Sequence, residues 1–188
     1  MSTRSPLPPA ASGLHPHRLR DRLLDLPLAL LLLAMAVSGF GVDALPQLGL
    51  PLPALEAILR THYGTADPMF MDPPAFFLVA ILWSGFVSTP VCAYLAWGVL
   101  RGRNKIRGPV FAWVPATLLV TLMVLAEELF STVPAWRSPD PLRVVGMSLP
   151  WLVVPLLVAW RVRAPFPFGG GLPQAERLLR LALDEEAK

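Results

Sequence analysis

The chain is 188 residues long, 54% apolar and only 15% charged, with 16 basic and 13 acidic residues and a mean hydropathy of +0.55. Soluble domains carry about 25% charged residues, so this composition excludes both an ordinary soluble globule and a disordered chain. The single cysteine, Cys92, and the three histidines, His15, His17 and His62, exclude an intrachain disulfide and a thiolate cluster; no metal and no cofactor is expected.

The net charge of +3 is too small to indicate a nucleic-acid partner, and none is expected. Arg outnumbers Lys fourteen to two, a bias that suggests a GC-rich bacterial genome. Residues 1–17 are rich in Ser, Pro and Ala without periodicity and read as a flexible tail. A four-span membrane domain is expected over 18–168, followed by a short tail at 169–188.

The first span is expected at about 23–44, with an uncharged run of 17 residues between Asp25 and Asp43. Arg18, Arg20 and Arg22 before it resemble a signal peptide, but the run outlasts a signal core and no clean Ala-X-Ala site follows. The connection after it carries Asp67-Pro68 and Asp72-Pro73-Pro74, read as turn and cap residues. The second span, expected at 74–100, has 28 uncharged residues between Asp72 and Arg101. The third, at 109–129, has 19 before Glu127, and the fourth, at 143–161, has 17 between Arg143 and Arg161. About 17 to 25 apolar residues cross a bilayer as a helix. Segment 169–188 opens with three glycines, and Leu172 to Ala187 read as a short amphipathic helix that lies on the membrane surface or packs on a partner.

Charge fixes the expected orientation. Thirteen basic residues fall before span one, between spans two and three, or after span four; only Arg60, Arg137 and Arg143 fall on the other side. The positive-inside rule puts both termini in the cytoplasm. Trp97 and Trp160 lie near cytoplasmic span ends, at headgroup level.

Carboxylates at the outer span ends are the chemical candidates, because a charge at mid-bilayer costs roughly 2.5–3.5 kcal/mol. Asp43 ends span one, and Glu127 and Glu128 end span three. Glu127 is taken as the pocket candidate and Glu128 as an interface marker. Pro27, Pro90, Pro115, Pro150 and Pro155 lie inside spans, where each removes a backbone hydrogen bond and kinks its helix. Such kinks can open a cavity, with Ser84, Ser88, Thr89, Thr117 and Thr121 either lining it or bonding back to freed carbonyls. The expected fold is therefore an all-α integral membrane bundle of four proline-kinked transmembrane helices.

The order of these features resembles the EXPERA superfamily, which groups the emopamil-binding protein, a sterol isomerase, with the sigma-two receptor. The matching stretches are Gly41-Val42-Asp43, Tyr63 with Asp67-Pro68, Pro73-Pro74-Ala75-Phe76-Phe77, Pro90, Ile106-Arg107-Gly108-Pro109 and Pro150-Trp151-Leu152-Val153-Val154-Pro155. The likeness is closer to the sigma-two receptor branch. It implies a pocket for sterols or hydrophobic amines anchored by Asp43, with aromatic walls at Trp113 and Trp151 and a structural acid at Asp67. The second acid of that pattern falls on Ser84, a departure for which Glu127 is the candidate substitute.

The expected ligand-binding residues are thus Asp43, Ser84, Ser88, Trp113, Thr117, Glu127 and Trp151; the structural ones are Asp67, Pro90, Pro150 and Pro155. The leading expectation is a non-enzymatic binding protein for a sterol-like or cationic amphiphilic molecule. The alternatives are an isomerase of sterol or isoprenoid double bonds, with Asp43 and Glu127 as catalytic acids, and an accessory structural subunit. The absence of any histidine from the spans weighs against the isomerase. The expected location is a bacterial inner membrane, or the endoplasmic reticulum in a eukaryote, and homodimerisation stays open.

Overall fold

In the computed structural model, residues 25–50, 53, 57, 61, 67–164 and 167–168 are described. The tails expected over 1–17 and 169–188 lie outside them. Among the described residues there is no strand. Four helices, Asp25–Gln47, Ala75–Arg101, Asn104–Phe130 and Pro141–Arg161, are long and apolar enough to cross a membrane.

The boundaries follow local chemistry. Asp140 caps the fourth span: its Oδ1 accepts the Arg143 N–H at 3.2 Å, and Pro141 takes the position where a missing N–H costs nothing. Gly102 ends the second span in the left-handed region (φ 61°), where only glycine is unstrained, and the Arg103 N–H closes the turn on Gly98 O at 2.9 Å. The second span starts on Pro74 rather than on a cap from Asp72, which is exposed. The third span begins at Asn104, five residues before the uncharged stretch suggested, because its first turns carry Lys105 and Arg107 beyond the apolar run.

Prolines act less simply than one kink each. Pro115, Pro150 and Pro155 sit inside continuous α-helix. By contrast, Pro46 and Pro90 each follow a π-helical segment by two residues: Gly39–Ala44 in the first span, Trp83–Ser88 in the second. A proline ring collides with the carbonyl four residues earlier. Those carbonyls, of Val42 and Phe86, lie inside the two π segments, where a wider turn relieves the clash. Pro46 was not among the prolines singled out from the sequence.

The two π segments pack on each other. A Cβ on Gly39 would stand 2.6 Å from Thr89 Oγ1 and 3.0 Å from Ser84 O; one on Gly85 would stand 2.8 Å from Ala44 N. The crossing therefore leaves no room for a side chain at Gly85 and little at Gly39, as in close helix pairs generally. Thr89 Oγ1 donates to Ser84 O at 3.1 Å, and Ala36 O lies 3.4 Å from it.

The core is uneven along the bundle. Leu28, Leu32 and Met35 of span one meet Cys92, Leu95 and Val99 of span two, Val110 and Trp113 of span three, and Val154 and Val158 of span four. These residues come from the half of each span nearest the basic loops. In the other half a small cluster of Met69, Phe77 and Ile81 closes the end, and between the two clusters the bundle is hollow.

Candidate functional site

The cavity in that hollow half measures about 130 Å³, close to a cavity of about 150 Å³ that admits benzene. The first span contributes Ser38, Val42 and Asp43; the second contributes Phe77, Ala80, Ile81 and Ser84. Val120, Thr121, Val124 and Glu128 come from the third, and Val144, Met147, Ser148 and Trp151 from the fourth. Asp67 and Phe70 cover the end from the short helix Pro68–Met71. Three carboxyl groups share this cavity, no lining residue is basic, and the rest of the lining is mainly apolar with the hydroxyls of Ser38, Ser84, Thr121 and Ser148.

Asp43 and Ser84 are delivered by the two π segments, one each. The half-buried Asp43 carboxyl lies beside Ser84. Ser84 Oγ is shut off from solvent and faces the Asp43 carboxyl, its hydrogen-bonding neighbour.

Asp67 does two jobs. Its Oδ1 accepts the Phe70 N–H at 3.0 Å, capping the short helix. Its carboxyl also shares a hydrogen bond with Glu128. Burial raises the Asp67 pKa, against the opposing pull of its hydrogen bonds with Glu128, Phe70 and Met69.

Of the seven residues expected to bind ligand, Asp43, Ser84 and Trp151 line the cavity. Ser88, Trp113 and Thr117 do not: Trp113 Nε1 donates to Ser88 Oγ at 3.0 Å, Trp83 Nε1 reaches Thr117 Oγ1 at 3.4 Å, and both bonds clamp span two to span three. Glu127 also lies outside the lining, and its neighbour Glu128 takes the inward position with 2% exposure. The reason is helical phase, since consecutive residues point about 100° apart. Thr117, Thr121 and Glu128 are spaced by four and seven and share a face; that polar row was the signal in the sequence. Among the residues expected to be structural, Asp67 lines the cavity, Pro155 is buried, and Pro90 and Pro150 are exposed.

A family model described as EBP: EXPERA (EXPanded EBP superfamily) matches residues 55–162, more than half of the chain. The matched stretch holds Asp67, Ser84, Glu128 and Trp151, whereas Asp43 precedes it. No curated protein and no solved structure matches the chain.

Proposed function

The chain belongs to the EXPERA superfamily, and on that premise we propose that it is a multi-pass membrane protein that binds a hydrophobic molecule in the cavity, held at its polar end by Asp43. The observation that carries this reading is the meeting of the Asp43 carboxyl and the Ser84 hydroxyl in a cavity whose lining is mainly apolar. Such a site pairs an apolar body with one polar or cationic group, the composition of a small-molecule pocket. The sigma-two receptor branch supplies the ligand class: a sterol-like molecule or a cationic amphiphile. At about 130 Å³ the cavity takes the polar end and one ring; the rest of the ligand extends between spans. Glu128, rather than Glu127, is the second carboxyl of the site. The basic ends face the cytoplasm, so the cavity opens toward the outer leaflet.

Mass spectrometry of lipids co-purifying with the full-length protein tests this. The expected result is a hydrophobic species retained by the wild type and lost from Asp43→Ala. Identical bound species in both would remove Asp43 from the site.

One observation favours isomerase chemistry as a second reading: the Asp67 and Glu128 carboxyls stand side by side at the edge of a mainly apolar cavity. A protonated carboxyl can add its proton to one alkene carbon, and a carboxylate can then take a proton from the carbon next to the cation, which moves the double bond. Turnover of an isoprenoid or sterol extract that disappears in Glu128→Gln selects the enzyme; retention without turnover selects binding alone.

A further inference from the structure

The basic end of the bundle carries a charge surplus that the protein does not neutralise. Thirteen basic residues belong to this side of the sequence, against six acids: Asp21, Asp25, Glu176, Asp184, Glu185 and Glu186. Among the described residues Asp25 is the one carboxylate at this end, and it is taken by Arg161, whose Nε and Nη2 hold both its oxygens at 2.6 and 3.1 Å.

Three of the remaining arginines lie over aromatic rings. The Arg103 guanidinium lies 4.2 Å over the Trp97 ring, and that of Arg107 lies 5.3 Å over Phe111. Arg163 lies 4.8 Å over Trp160. Trp97, Phe111 and Trp160 are exposed on the bundle surface, where indole rings sit at headgroup depth. A guanidinium stacked by its face still presents its N–H edge, a fork that fits two phosphate oxygens.

We propose that Arg103 and Arg107, at the turn between spans two and three, hold the phosphate of an anionic phospholipid headgroup. Trp97 and Phe111 orient the two guanidinium groups, and Lys105 adds charge without stacking. The acceptor comes from the lipid rather than from solution, because the aromatic partners place the guanidinium groups at the bilayer surface. This surface lies at the opposite end of the bundle from the carboxylate cavity and does not depend on what that cavity binds.

The test uses the full-length protein in mixed micelles of equal phosphatidylglycerol and phosphatidylcholine, captured by affinity, with retained lipid measured by mass spectrometry. The wild type is expected to retain phosphatidylglycerol over phosphatidylcholine by at least about fivefold, the ratio one basic residue near an anionic surface supplies. The Arg103→Gln/Arg107→Gln double variant should bring the ratio close to one, and Arg137→Gln, at the other end, should leave it unchanged. Equal retention of both lipids by the wild type overturns the proposal, as does a double variant with the full preference. If that variant does not fold, salt gives the same reading on the wild type: the preference should fall as ionic strength rises, and a salt-independent preference overturns it. Displacement of the lipid by excess inorganic phosphate would assign the site to free phosphate and overturn the lipid assignment.

Discussion

Asp67 shows how one side chain can serve fold and site together. Its native carboxyl holds a proton more tightly than the ordinary value of 3.8, because burial penalises the charged form. The sign of the linkage follows: the unfolded chain binds fewer protons, so the stability from this group is complete below the ordinary value. It is lost as pH rises through the raised native value. Asp67→Asn keeps the cap, because asparagine caps as well as aspartate, and keeps a donor toward Glu128 while removing the titration. The wild type should lose melting temperature relative to Asp67→Asn as pH climbs above about 4, the ordinary carboxylate range. Intrinsic tryptophan fluorescence during heating measures it, and parallel curves would mean that Asp67 does not titrate in this way. The neighbouring choice between Glu127 and Glu128 also belongs to this scale. Glu128→Gln should reduce retention of the cavity ligand severalfold, whereas Glu127→Gln should leave it within about twofold, as is usual for a side chain that touches nothing in the site.

Among the elements, the two π segments decide the shape of the site. Each ends two residues before a proline, and each carries one polar residue to the cavity. They can cross only because Gly39 and Gly85 leave room for the opposing helix. Gly39→Ala has some relief, since the nearest atom is the rotatable Thr89 hydroxyl, although Ser84 O stands at 3.0 Å. Gly85→Ala has none, because its nearest atoms are the backbone N and Cα of Ala44. Overpacking of this kind costs about 1–3 kcal/mol, and Gly85→Ala should sit at the upper end. Labelling of Cys92 is a direct readout, since its thiol is buried and reacts with a dye only when the bundle opens. A Gly85→Ala protein that melts with the wild type would show that the two segments do not touch so closely.

For the whole molecule, the division of labour runs along the bundle axis. The half near the basic loops is packed and latched; the other half is hollow. The latch joins span one to span four through Asp25 and Arg161, and Arg161 also donates to Pro167 O at 2.8 Å and lies 4.6 Å over the Phe168 ring. Phe168 N–H in turn donates to Asn104 Oδ1 at 3.1 Å, which brings in the loop between spans two and three. Removing one partner of a buried pair strands the other charge, at a cost of about 3–5 kcal/mol. Asp25 is 3% exposed and Arg161 22%, so Asp25→Leu, which strands the arginine beside partial solvent, should cost less than Arg161→Leu. The Asp25→Leu/Arg161→Leu double variant should recover most of the loss. If the double variant is as unstable as the worse single one, the pair contributes packing rather than compensation of charge.

The amino-acid order by itself determined the number of spans and their approximate ends. Apolar length and the placement of arginines are one-dimensional quantities, and a bilayer reads them directly. The prolines inside the spans raised the expectation of a cavity, and the likeness to the EXPERA pattern put Asp43 at it. Tertiary structure alone decided which polar groups share that cavity. Serine and threonine hydroxyls in helices have two cheap fates, and only packing shows that Ser88 and Thr117 accept from tryptophans while Ser84 and Thr121 face the hollow. A one-residue step in helical phase brought Glu128 inward instead of Glu127. Asp67 joined the site because a loop folds over the bundle end, a contact across 61 positions that no local pattern encodes.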